Sequence, residues 1–161
     1  MARTHGRLKV SIWDDPDFLA LKVAEQHAYF ALMSNKGLSR CGVIDFIPSR
    51  FEGLAVDLTA PKFKAAVTGL ERHRFVVIDP RTQELLLRSH VRHDGVFDRA
   101  NMGKAVGTAY EAVVSPLIRH AIGDELARLM KEAMDLPGWI GLAATSPEAH
   151  AMACGIESRI A

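Results

Sequence analysis

The clearest periodic signal along the chain lies between Thr59 and Arg72. Thr59 is suited to cap a helix with Pro61 in its first turn, and Phe63, Ala66, Val67 and Leu70 follow the i, i+3, i+4, i+7 spacing of one buried face. The opposite face carries Lys62, Lys64, Ala65, Thr68, Glu71 and Arg72, with Ala65 and Gly69 small enough to let another molecule come close. Upstream, DDPDFLAL offers Asp14 or Asp15 as an N-cap and Pro16 as a first helical residue. Residues 23–36 are good or tolerable helix formers, apolar on nearly every face between Ala28 and Met33, which predicts a central helix. Gly37 is expected to end it with a positive φ. A turn around Cys41 and Gly42 then leads to a very short β segment at 43–46, and PSRFEGLAV reads as a short second helix with Phe51, Leu54 and Ala55 on one face.

Two β-rich runs follow, 75–78 and 84–91, joined through Asp79, Pro80, Arg81 and Thr82 as a hairpin. Alternation puts Leu85 and Leu87 on one side of it, Leu86 and Arg88 on the other. The order helix, short strand, short helix, amphipathic helix, hairpin is that of a winged helix-turn-helix, expected over residues 1–93. Beyond Asp94 the pattern turns helical: a weak signal interrupted by Gly103 and Gly107, a strong helix at 117–134 opened by Ser115 and Pro116, a loop LPGWIGLAATSP, and a last short helix opened by Ser146, Pro147 and Glu148. The expected fold class is therefore mainly α with a small β hairpin, residues 94–161 forming a helical extension. Its apolar face, with Trp139, Ile140 and Leu142, exceeds what a small winged helix covers. It either folds back as a cap or meets a second copy, a homodimer through 116–142 that would suit a palindromic site.

At 161 residues, 48% apolar and 24% charged, the chain is expected to bury roughly 70% of its unfolded surface. Cys41 and Cys154 lie far apart, which points to a reducing compartment, and neither reads as structural. No apolar run approaches the roughly 20 residues of a membrane span, and MARTHGRLKV lacks the apolar stretch of a signal peptide, so a cytoplasmic, nucleoid-associated protein without membrane partners is expected. Charge is uneven: four basic against four acidic residues in 1–35, twelve against eight in 36–104, and four against seven in 105–161. The middle third is basic.

An α-helix fits the major groove, its outward side chains reading base edges while Lys and Arg neutralise phosphates. Lys62, Lys64, Ala65, Thr68 and Arg72 form the candidate reading face, although any amphipathic helix needs a solvated side. Arg74 and Arg81 are the wing candidates, Arg81 at its tip; Arg50 is placed to cross the backbone and Arg40 precedes it in a loop, and ordinary solubility would also account for them. The first ten residues read as a loose arm with Arg3, His5, Arg7 and Lys9. His90 and His93 on a strand would face opposite sides, with no Glu or Cys nearby to complete a zinc site. Neither Cys41 nor Cys154 has an activated-thiol setting: Arg40 beside Cys41 would lower its pKa, but no histidine is fixed next to it in sequence. Phosphate-loop, GxGxxG and serine-nucleophile patterns are absent from the sequence, so neither an enzyme nor a cofactor is expected.

Residues 10–129 carry a resemblance, strongest at Arg92-His93-Asp94-Gly95, at 101–104 and at Tyr110-Glu111-Ala112-Val113 before Ser115-Pro116. The stretch resembles helix-turn-helix proteins of actinobacteria and their bacteriophages, loosely like the N-terminal domain of DnaD-type replisome organisers. Asp98 departs from the basic or polar residue expected after Phe97. The resemblance implies a winged-helix fold and DNA binding, but no particular operator or origin sequence. The leading expectation is a sequence-specific double-stranded DNA-binding protein of phage or prophage type, acting in replication initiation or transcription regulation. The alternative expectation is an interaction module of the same fold that binds a host or replisome protein, its basic face incidental.

Overall fold

The computed structural model describes residues 5–156; Arg3 of the basic arm lies outside them. Eight helices and three strands follow in the order α1 (Pro16–Leu19), α2 (Val23–Met33), β1 (Val43–Asp45), α3 (Ala60–Arg72), β2 (Val76–Asp79), β3 (Glu84–Leu87), α4 (His90–His93), α5 (Ala100–Glu111), α6 (Pro116–Glu132), α7 (Gly138–Thr145) and α8 (Pro147–Ala153). Short 3-10 helices occupy Val10–Asp14 and Pro48–Phe51. The chain is mainly helical around one three-stranded antiparallel sheet, ordered β1-β3-β2.

The sheet separates two apolar cores. Ile44, Val76, Leu85 and Leu87 face the first, with Phe18, Tyr29, Leu32, Phe63 and Leu70 from the helices before β2. Val43 and Leu86 face the second, with Val106, Tyr110, Ile118, Ile122, Leu126 and Trp139. Strand geometry sends successive side chains to opposite faces, and β3, central and buried along its whole length, serves both cores. The extension thus folds back on the sheet and buries Trp139 and Leu142, while Leu117, Met134 and Ile140 of the stretch expected to pair with a second copy stay exposed.

Several local expectations are corrected. Gly37 does not have a positive φ; α2 ends at Ser34, and the Gly37 N–H donates to Asn35 Oδ1 at 2.8 Å. The segment after Pro48 makes only one 3-10 turn, with Leu54 exposed rather than packed. Strand β3 stops at Leu87, and His90 and His93 lie on the one-turn helix α4. Cys41 is fully buried in the second core. Burial pushes its thiol pKa up, away from an activated thiol.

The largest correction lies at α5 and α7. Gly103 and Gly107 do not interrupt α5, and the LPGWIGLAATSP segment expected as a loop contains a full helix. A Cβ on Gly103 would collide with the Gly138 carbonyl, and one on Gly141 with the Ala100 carbonyl. The glycines let two backbones touch. Local propensity counts against Gly in a helix by about 1 kcal/mol, and tertiary packing overrides it here.

Candidate nucleic-acid interface

Helix α3 is held by both ends and by its buried face. Thr59 Oγ1 accepts from the Lys62 N–H and Glu52 Oε1 from the Ala60 N–H, fixing the first turn. Phe51 stacks on Phe63 with ring centroids 4.2 Å apart, so the 3-10 turn positions α3 directly. At the other end the Arg74 N–H donates to Glu71 O and the Phe75 N–H to Leu70 O. This is the Schellman pattern, in which the residue after the cap takes a left-handed backbone and is usually glycine. Here that residue is Arg74, with φ of 61°.

With the core side fixed, Lys64, Ala65 and Arg72 are exposed and Thr68 is half-buried, its hydroxyl donating to Lys64 O at 2.9 Å. Helical spacing puts Ala65, Thr68 and Arg72 in the middle of the outward face with Lys64 beside them. Lys62 is exposed but turned back, donating to Asp57 O at 2.8 Å. Gly69 is not on this face: it is buried, and a Cβ there would strike the side chain of Glu25, which accepts from the Lys22 N–H at the start of α2. It brings α2 and α3 together and offers no close approach to a ligand. Glu71 is also occupied, accepting from the Ile78 N–H at 3.0 Å.

The remaining candidates are dispersed. Arg81 is exposed in the hairpin turn, its N–H donating to Asp79 Oδ1. That turn is anchored: Ser115 Oγ donates to Asp79 Oδ2 at 2.6 Å, and Glu84 accepts the N–H groups of Val114 and Ser115. The Ser115 hydroxyl holds the Asp79 pKa below its ordinary value. Arg50 pairs with Asp45 at 3.4 Å, both well exposed, and Arg40 is half-buried in the loop before β1. Arg74 lines a cleft with Arg88 and Arg92, apart from the outward face of α3. Among the described residues Lys64, Arg72, Arg74 and Arg81 make no ion pair.

A cluster escaped the sequence analysis. Glu125, on α6 with its side chain 1% exposed, meets Arg88 at 2.8 Å, Arg128 at 2.9 Å and Arg92 at 2.9 Å. The Arg92 contact is an ion pair off the hydrogen-bond angle. Its signal was present: Glu125 falls within the apolar stripe of Ile118, Ile122 and Leu129, where a charge needs partners. Among the described residues no group of three or more His, Cys, Asp or Glu is placed to hold a metal ion, and no helix is long and apolar enough to cross a membrane. No protein-family model, curated protein or solved structure matches the chain.

Proposed function

We propose that the chain is a winged-helix protein that binds double-stranded DNA through α3, acting in replication initiation or transcription regulation as the resembling phage and prophage proteins are expected to do. The carrying observation is the outward face of α3: Lys64 and Arg72 are exposed without an ion pair among the described residues, and flank Ala65 and Thr68. Such a face has the charge to neutralise phosphates and the small side chains to approach base edges, with Thr68 suited to a thymine methyl. The element order α2, β1, 3-10 turn, α3, β2, β3 and the sheet order β1-β3-β2 support the winged-helix assignment. Arg81 is the wing contact and Arg50 a secondary backbone contact in this account, with cytoplasmic location following from the DNA target.

The test is retention of random-sequence duplex DNA by the full chain and by a variant with Lys64→Glu and Arg72→Glu. Each reversal should weaken binding by about 1 to 3 kcal/mol. Unchanged retention by a folded variant contradicts the proposal.

A second proposal, a module that binds a host or replisome protein, has one observation of its own. Val10, Trp13, Leu19 and Val23 are exposed apolar residues on the segments before and at the start of α2. It predicts a complex that survives nuclease treatment and high salt, which the DNA reading does not.

A further inference from the structure

A cleft of about 530 Å³ opens between the N-terminal arm, the turn after α3, the chain from β3 to α4, and α6. Its volume lies in the range of small-molecule sites. Six Lys and Arg line it, Arg7, Lys9, Arg74, Arg88, Arg92 and Arg128, against three carboxylates, Asp15, Asp17 and Glu125. Arg88, Arg92 and Arg128 share the single buried carboxylate of Glu125, so this wall carries more cation than its protein partners neutralise. Arg92 also reaches Glu132, at 3.8 Å.

Two further features mark the cationic wall. Lys9 Nζ lies 3.2 Å from His93 Nδ1, and burial together with Lys9 and Arg92 lowers the His93 pKa. Arg74 occupies a left-handed backbone position that favours glycine, and its carbonyl accepts from Arg88 Nη1 at 3.4 Å. An arginine thus stands at a backbone position that ordinarily favours glycine. Tyr29, Phe75 and Met33 line the same cleft, Phe75 directly beside Arg74 and with its carbonyl accepting from the Arg88 N–H.

We propose that this cleft binds a small phosphate monoester of mononucleotide size, its phosphate held by Arg74, Arg88 and Arg128 and its ring system against Phe75 and Tyr29. Guanidinium forks match phosphate oxygens in pairs, and a dianion offsets the surplus charge better than a monocarboxylate. The proposal is independent of DNA binding by α3, and its loss of binding is sought at Arg74 and Arg128, with Lys64 and Arg72 as the control.

Binding to the full chain is measured by calorimetry with AMP, adenosine and inorganic phosphate as probes. AMP is expected to bind more tightly than inorganic phosphate, and adenosine not to bind up to about 10 mM. Arg74→Gly, which suits the backbone, and Arg128→Gln, on a half-exposed side chain, should each weaken AMP by about tenfold while thermal melting shows a folded protein. Lys64→Glu with Arg72→Glu should leave AMP binding unchanged. No AMP binding, equal affinity for AMP and inorganic phosphate, or AMP affinity insensitive to Arg74→Gly and Arg128→Gln in folded protein would each overturn the proposal.

Discussion

Glu125 stands three residues after Ile122 and four before Leu129, inside the stripe that α6 buries. A carboxylate there is tolerable because three guanidiniums reach it. Removing its charge with Glu125→Gln leaves Arg88 and Arg92, both largely buried, without their main partner. Urea unfolding should show a loss of about 2 to 4 kcal/mol, below the full penalty of a sealed pair because Arg128 can turn to water. Asp79 makes a pH prediction. Its folded pKa is depressed by the Ser115 hydroxyl, so its contribution to stability is complete above the unfolded carboxylate value, 3.8, and is lost as pH falls through the lower folded value. Melting temperatures of wild type and Asp79→Asn should therefore differ by a constant amount near neutrality and converge in acid. A gap that persists at low pH would show that the Asp79 carboxylate charge is not responsible.

At the scale of elements, the pair α5 and α7 is joined by backbone contact at Gly103, Gly138 and Gly141. Gly103→Ala gains helix propensity yet forces these helices apart, and the net loss should be about 1 to 3 kcal/mol by denaturant titration. Thr108→Ala, on the exposed side of α5, should leave stability within about 0.5 kcal/mol. The same glycines explain what the sequence concealed. Capped, amphipathic α3 and α6 were legible, because Thr59 and Ser115 announce their starts and apolar spacing marks their buried faces. Helix α7 was not, because its glycines read as breakers when the partner backbone that needs them is unknown. Strand β3 is shorter than its apolar pattern suggests because the turn at Arg88 and Ser89, which carries neither glycine nor proline, leads straight into α4. On the candidate face, Lys64 and Arg72 were readable from spacing. The inward role of Gly69 and the diversion of Lys62 to Asp57 depend on neighbours that periodicity does not reveal.

At the scale of the molecule, one sheet serves two cores, and the C-terminal helices cover the side remote from α3. Their strongest contacts to the sheet come from α6 against β2 and β3. Covering that side leaves the outward face of α3 open while Asp79, Glu84 and Ser115 fix the hairpin turn. If DNA seats against both, Lys64, Arg72 and Arg81 with one or two further cations make about four or five phosphate contacts. Counterion release then sets the salt dependence. The direct measurement is the affinity of the full chain for a duplex oligonucleotide, by fluorescence anisotropy, across a series of salt concentrations. The account predicts a slope of log K against log salt near about −4. A slope shallower than about −1, or no binding at the lowest salt, would contradict it.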